Sequence, residues 1–150
     1  MARKSRTNRN PGLRTADFAR LASFRYALRA FLHFSELATA RVGLTGQQYQ
    51  ALLFVRSRAE RAPVSINDLA QELLIRHNSA VGLVDRLSER GLIVRKRIPE
   101  DLRMVQLELT PKGEQVLGRL ALIHRRKLQR MGADIYRILG ELTGAWRARS

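Results

Sequence analysis

The chain has 150 residues, 45% of them hydrophobic, which suits a globular domain with a sizeable core. Its 28 Lys and Arg residues against 13 Asp and Glu residues give a net charge of +15. This predicts a polyanionic partner, nucleic acid first and an acidic membrane surface second. The absence of cysteine excludes disulfides and thiol-based sensing. Because there is no long apolar run and no signal-peptide core, we expect a cytoplasmic protein with no membrane partner.

The N-terminal third predicts an arm and a long helix. Residues 1–14 are basic with almost nothing apolar, which indicates a flexible arm that tracks DNA or is merely solvated. Residues 15–40 predict the first helix, with an apolar surface wider than one face. That breadth indicates a subunit interface. Its rings Tyr26, Phe31 and Phe34 are candidates for a ligand crevice, and ordinary core packing is the alternative for each.

Two helices and a turn follow. Thr45 opens the second helix with a capping box, and a polar linker at residues 56–63 ends it. Ser65 caps a short third helix. Its predicted buried face comprises Ile66, Leu69, Ala70, Leu73 and Leu74. After a tight turn, a longer helix runs from about residue 77 to residue 90, and Gly91 ends it as a left-handed cap.

A hairpin and a last helix complete the chain. Residues 92–97 and 104–109 predict strands on either side of a turn at residues 98–102. Thr110 and Pro111 start a helix that reaches about residue 146, with a break expected at Gly132. An apolar seam near the heptad pattern predicts packing on a partner helix; it comprises His124, Leu128, Met131, Ile135, Ile138 and Leu142.

These elements predict a mainly helical fold with a small β-wing, a winged helix-turn-helix. We assign residues 44–112 to the DNA-binding region and residues 15–43 and 113–150 to dimerisation helices, all within one domain. A homodimer through the two chain ends is favoured over a monomer.

The start of the longer helix is the candidate reading surface for duplex DNA. It contains no acid, so this half should enter the major groove. Asn78 suits adenine, Arg86 suits guanine or a phosphate, and Val81 suits a thymine methyl. The full candidate set is Arg76, His77, Asn78, Ser79, Val81, Gly82 and Arg86, with Arg76 and His77 as backbone contacts. For each of these residues, the alternative to a DNA contact is a polar side chain that only faces water. For Gly82, the alternative is a neutral substitution that the helix tolerates.

The hairpin tip is the second candidate contact. Arg95, Lys96, Arg97 and Arg103 surround it, and Asp101 is expected to hold the guanidinium of Arg103. A basic finger of this kind fits a minor groove, with a merely solvated hairpin as the alternative. The three histidines lie far apart without acidic neighbours at ligand spacing, so we expect no metal and no cofactor. No catalytic motif is present, and we expect no enzyme.

From about Phe18 to Leu120 the chain resembles the MarR family of winged-helix transcriptional regulators. The most specific match is Asp101-Leu102-Arg103 followed by Leu109-Thr110-Pro111-Lys112-Gly113, the family's Asp-x-Arg and Leu-Thr-x-x-Gly wing signature. The resemblance implies dimers with interlocked terminal helices, recognition helices in successive major grooves and wings in minor grooves. It also implies repression that small phenolic or lipophilic ligands relieve. The recognition helix departs from the family at its start, Arg76-His77-Asn78-Ser79, so no base preference is transferred.

We therefore expect a dimeric repressor that binds double-stranded DNA at a pseudo-palindromic operator and is released by a small aromatic or lipophilic ligand. The alternative is a non-specific architectural DNA-binding protein without ligand control, which the high charge supports. A nucleic-acid-processing enzyme is a third hypothesis, but no carboxylate set for it is visible.

Overall fold

The structure, a computed structural model, describes residues 12–147, with side chains to residue 144; residues 1–11 of the expected arm lie outside this range. The described part contains the helices α1 (Thr15–Ala40), α2 (Gly46–Arg58), α3 (Ile66–Glu72), α4 (His77–Glu89) and α5 (Pro111–Arg147), and the strands β1 (Ile93–Ile98) and β2 (Asp101–Leu109). The predicted mainly helical fold with a small wing is confirmed. None of these helices is long and apolar enough to cross a membrane.

The described chain divides into two compact units. Residues 33–127 form one, and the segments 12–32 and 128–147 form the other. In the smaller unit, the carboxylate of Asp17 accepts the backbone N–H of Arg14 at 2.8 Å and pairs with Arg20 at 3.2 Å. Asp17 therefore satisfies a free N–H at the start of α1. The larger unit contains the helix-turn-helix and the wing.

Capping boxes start α2 and α3; the sequence predicted the box at Thr45 and, for α3, the cap at Ser65. The hydroxyl of Thr45 accepts the N–H of Gln48 at 3.1 Å, and the Gln48 side chain accepts the N–H of Thr45 at 3.0 Å. Ser65 and Asp68 repeat this arrangement, with distances of 3.1 and 2.8 Å. The backbone N–H of Ser65, and then its hydroxyl, hold the pKa of the Asp68 carboxyl below its ordinary value. Both boxes satisfy N–H groups that the helices leave free.

The core of the larger unit fixes the orientation of α4. Ala80, Leu83, Val84 and Leu87 are all buried, as the helical periodicity predicted. Leu83, Val84 and Leu87 pack in one cluster with residues from α2, α3, the wing and the start of α5. The fully buried members of this cluster include Leu52, Leu69, Leu92, Ile93 and Leu120. Burying a side chain of this size contributes about 1.5–3 kcal/mol. The opposite face of α4 is consequently held toward solvent.

Leu74 lies outside the buried face of α3, which corrects the prediction. It is 92% exposed and has a φ of 53°, because α3 ends at Glu72 and the chain reverses there. The N–H of Leu74 donates to the carbonyl of Gln71 at 3.2 Å, and that of Ile75 donates to Ala70 at 3.0 Å. This is the Schellman pattern, which brings Ile75 against the core and holds Leu74 in the left-handed conformation.

The wing is tighter than predicted. β1 and β2 pair antiparallel in one register from Ile93 with Leu109 to Arg97 with Val105, and after a register shift Ile98 pairs with Asp101. Only two residues therefore form the turn, instead of residues 98–102. β2 also starts at residue 101, before the predicted 104. The predicted break at Gly132 is wrong, since α5 is continuous. A glycine in a helix interior costs only about 1 kcal/mol, which the surrounding helix tolerates.

The start of α5 lies against the end of α4. Gly91 has a φ of 67°, which confirms the predicted left-handed cap. The hydroxyl of Thr110 donates to the carbonyl of Gly91 at 2.5 Å and accepts the N–H of Gly113 at 3.0 Å. A Cβ atom at Gly113 would lie 2.2 Å from the carbonyl oxygen of Leu92. The glycine of the Leu-Thr-x-x-Gly motif therefore permits this close backbone approach.

Gly113→Ala is expected to lower the free energy of unfolding by about 2 kcal/mol, because its methyl group would force two backbone segments apart. Gly118→Ala, in the same helix, is the matched control: its Cβ meets nothing within 4 Å. That variant should gain up to about 1 kcal/mol from helix propensity. Urea unfolding of both variants measures the difference, and equal stabilities would contradict the steric argument.

Leu74→Gly is expected to raise the free energy of unfolding by about 0.5–1 kcal/mol. The left-handed conformation costs a leucine roughly 1–2 kcal/mol, and the greater freedom of unfolded glycine offsets part of that gain. Chemical denaturation at fixed pH measures the change. A destabilised variant would show that the Leu74 side chain makes a stabilising contact.

Candidate nucleic-acid interface

The exposed side of α4 holds all the residues predicted to contact the major groove. Arg76, His77, Asn78, Ser79 and Arg86 are exposed, and Val81 and Gly82 are partly so. Arg76 is the N-cap residue, and its side chain makes no capping hydrogen bond. The structure therefore leaves a basic and polar surface at the start of the helix, where N–H groups and the helix dipole also favour an anion.

Gly82 lies beside the side chain of Arg86. A Cβ atom at position 82 would lie 3.4 Å from Nη1 of Arg86, which is an ordinary van der Waals contact with a flexible side chain. The space around this position therefore does not require a glycine.

His77 is in contact with α3, which the sequence did not predict. Its Nδ1 atom lies 2.6 Å from Oδ1 of Asn67, so the ring is held against the first turn of the preceding helix. The apolar periodicity of the sequence shows only which face of a helix a residue occupies. The bond between these two exposed side chains depends on the crossing of α3 and α4.

Arg90 does not share the exposed surface of Arg86. Two like charges one helical turn apart would favour an anionic partner if both faced solvent. In the structure the Arg90 guanidinium donates to the carbonyl of Val42 at 3.1 Å and to that of Gly43. Its charge is directed at the loop after α1, and Arg86 alone keeps the predicted role.

Two of the predicted wing cations are in ion pairs. Arg95 meets Asp85 of α4 at 2.5 Å, and Lys96 meets Glu108 across the hairpin at 2.5 Å. The first pair ties the wing to the recognition helix and neutralises the first acid of that helix. Because both pairs are partly exposed, their Coulomb energy is strongly screened, and their main effect is on position.

Arg97 and Arg103 keep their charges at the tip of the hairpin. Neither side chain forms an ion pair with any residue in the described range. Asp101 was expected to hold the guanidinium of Arg103. Instead, its carboxylate accepts the backbone N–H of Arg103 at 3.0 Å, because residues 101 and 103 are in a strand that starts at the turn. Asp101 therefore shapes the turn rather than the arginine side chain.

The predicted ligand rings are divided between the two units, with Tyr26 and Phe31 in the smaller unit and Phe34 in the larger one. Tyr26 lines a cleft of about 520 Å³ in the smaller unit, between Ala22–Ala30 of α1 and Met131–Ile138 of α5. Phe31 and Phe34 are not among its lining residues. Phe34 instead packs edge-on against His124, with ring centroids 5.7 Å apart, and Lys127 lies over its face at 5.1 Å.

His124 belongs to the interior of the larger unit, which corrects its assignment to a dimer seam. It is 5% exposed and stacks on Tyr49 with centroids 4.4 Å apart. Its Nδ1 donates to the carbonyl of Leu120 at 2.7 Å, and its Nε2 meets the Ser35 hydroxyl at 2.8 Å. Burial raises the pKa of the Tyr49 hydroxyl. Within the described residues, no three His, Asp or Glu side chains come together to hold a metal.

The capped helix pair, its turn and the basic hairpin define a winged helix-turn-helix protein. Residues 42–104 match the family model described as the MarR family. The structure matches MepR of Staphylococcus aureus with a TM-score of 0.70 at 15% identity, covering 92% of this chain and 100% of that one. Over residues 42–104 the chain is thus similar to the MarR family, and the curated relatives that it matches are named as transcriptional regulators.

Two curated relatives show the extent of the similarity. A protein of Thauera aromatica named for the hcr operon is 34% identical over 93 residues, which are 62% of this chain and 54% of that protein. The regulator FarR of Neisseria gonorrhoeae is 34% identical over 76 residues, 51% of this chain and 50% of FarR. The chain thus spans about half the length of the curated relatives it matches. Other MepR structures contain DNA (TM-score 0.63, 15% identity) or ethidium bromide (TM-score 0.62, 16% identity).

Arg90→Ala is expected to lower the free energy of unfolding by about 1 kcal/mol, because two carbonyls lose their donor. Arg86→Ala, four residues earlier, should leave stability unchanged within about 0.5 kcal/mol, as an exposed substitution usually does. Thermal unfolding of the two variants under identical conditions measures both. A larger loss for Arg86→Ala would show that its extended side chain stabilises the helix.

Proposed function

We propose that the chain is a dimeric, sequence-specific DNA-binding transcriptional regulator that represses from a pseudo-palindromic operator. The observation that carries the proposal is the exposed start of α4: residues 76–84 contain no Asp or Glu, and the next residue, Asp85, is paired with Arg95. A polyanion therefore meets no unpaired acid along this stretch. Its DNA partner implies a cytoplasmic location.

The roles of the α4 residues follow from their chemistry. Asn78 pairs with adenine through both the oxygen and the nitrogen of its side-chain amide, and Arg86 reaches guanine or a phosphate. Ser79 suits a phosphate or base edge, and Val81 contacts a thymine methyl. Arg76, at the N-cap, binds the backbone. Exposure of all five side chains, at least in part, supports these assignments.

The wing supplies a second contact in the minor groove. Arg97 and Arg103 make that contact, since their guanidinium groups are not used in ion pairs within residues 12–144. Arg95, Lys96 and Asp101 position the hairpin through the bonds described above. Cationic side chains favour a narrow minor groove because its negative potential is enhanced there.

Dimerisation through residues 15–43 and 113–150 brings a second recognition helix, which contacts the other half of the operator. Many large apolar side chains of α1 and α5 remain exposed in the single chain, which supports burial against a second copy. They include Phe18, Leu28, Leu32, Leu37, Leu122, Leu128 and Leu139. Two copies present recognition helices about one DNA turn apart, which matches a pseudo-palindromic site.

The relatives support the DNA-binding role. The Thauera protein and FarR are named as regulators of transcription, and MepR has been solved on DNA. The net charge of +15 also suits a non-specific architectural protein, which is the second candidate. The two differ in one measurable quantity, the ratio of affinities for operator and unrelated duplex.

A small aromatic ligand is the proposed release signal. The Tyr26 cleft is the candidate site: it is open, mostly lined by apolar atoms, and large enough at about 520 Å³ for a few fused rings. MepR with bound ethidium bromide shows that a protein of this fold accepts such a molecule. Phe34 is an unsuitable lining residue because His124 and Lys127 already cover its ring.

Operator binding tests the main proposal. A gel-shift titration should show two protomers on the operator, an affinity at least about 1,000-fold above that for scrambled duplex, and a steep loss with salt. The log–log slope should be about 0.9 per phosphate neutralised, and Arg103→Ala should reduce it by about 1. Arg86→Ala should weaken operator binding. Equal affinity for both duplexes would instead identify the architectural protein.

Ligand release is tested by thermal shift with a set of aromatic acids and planar cations. A binding compound should raise the melting temperature and lower operator affinity, because the two sites are coupled. Tyr26→Ala should abolish the shift, while Tyr136→Ala, an exposed tyrosine outside the cleft lining, is the control. Compounds that raise the melting temperature without changing DNA affinity would refute control through this cleft.

A further inference from the structure

The contact between His77 and Asn67 has a consequence for base recognition. His77 is the first residue of α4, Asn67 is the second residue of α3, and both side chains are exposed. The Oδ1 atom of Asn67 lies 2.6 Å from Nδ1 of His77. This bond connects the two helices of the helix-turn-helix across their turn. It therefore holds the plane of the imidazole beside the proposed reading surface.

The bond also sets where the imidazole carries its proton. A carboxamide oxygen can only accept a hydrogen bond, so Nδ1 of His77 must donate. In a neutral ring the other nitrogen, Nε2, then carries a lone pair and is an acceptor. Among the residues that the structure describes, none forms a hydrogen bond with Nε2. His77 thus presents a fixed acceptor to the outside.

An exposed acceptor distinguishes between the groups of a DNA duplex. Phosphate oxygens and the O6 and N7 atoms of guanine are acceptors too, so they repel the lone pair. The donors of the major groove are the exocyclic amines, N6 of adenine and N4 of cytosine. We infer that Asn67 is a positioning residue that makes His77 a base reader selective for adenine or cytosine. The inference rests on the proposed function and replaces the backbone contact predicted for His77.

The protonation pattern is measurable without DNA. Long-range proton–nitrogen NMR of the full chain separates Nδ1–H, Nε2–H and doubly protonated rings, and His77→Ala identifies the signal. The wild type should show the Nδ1–H ring, because Asn67 places an acceptor at that nitrogen. Asn67→Ala should shift the ring toward Nε2–H. An Nε2–H or doubly protonated ring in the wild type would overturn the inference.

Base choice is measured by selecting duplexes from a random library. The wild type should enrich adenine or cytosine at one position in each half-site, and His77→Ala should lose the preference there alone. Replacing a selected adenine by purine, which lacks the amine, should weaken wild-type binding about three- to tenfold, the effect of one hydrogen bond.

The outcomes separate this inference from the proposed function. If His77→Ala weakens binding equally for all sequences and changes no base preference, His77 contacts a phosphate and the inference is wrong. If the wild type enriches no sequence at all, the proposed sequence-specific function itself fails. Thermal unfolding of each variant confirms that the helix-turn-helix is intact, so that a change in preference reports recognition.

Discussion

The structure depends on a junction where the end of α4, both ends of the wing and the start of α5 meet, formed by Gly91, Leu92, Thr110 and Gly113. The hydroxyl of Thr110 bonds both glycines, and Leu92 accepts the N–H of Thr110 at 3.1 Å. The backbones are too close at Gly113 for any side chain. This junction fixes the direction in which the wing leaves the recognition helix, and hence the relative position of the two candidate DNA contacts.

The charge that the candidate DNA interface presents depends on which of its charged side chains are paired, as well as on how many basic residues the chain contains. The whole chain carries +15, but only some of its cations face outward at the reading surface. Arg90 is directed at backbone carbonyls, and Arg95 cancels Asp85. Counting basic residues therefore overestimates the DNA-facing charge. What distinguishes the surface is that the first acid of α4, Asp85, is paired, while Arg97 and Arg103 have no ion-pair partner in the described range.

The sequence predicted the elements because local signals were strong. The capping boxes at Thr45 and Ser65, the apolar stripe of α4 and the left-handed Gly91 each specify a feature within a few residues. Leu74 was misassigned because apolar periodicity continues past the last helical turn, where backbone hydrogen bonding reverses the chain. The contacts of His124, Arg90 and His77 join residues 10 to 89 positions apart, and no local pattern encodes them.

Arg86 shows what an exposed residue at a binding surface costs on binding. An arginine free in solvent loses much of its rotamer entropy when it binds, a cost of up to roughly 2 kcal/mol. Among the described residues, no ion pair or side-chain hydrogen bond holds the exposed guanidinium of Arg86, so the side chain keeps that freedom until a partner orders it. Its bond to DNA must therefore exceed this ordering cost before the arginine contributes to affinity.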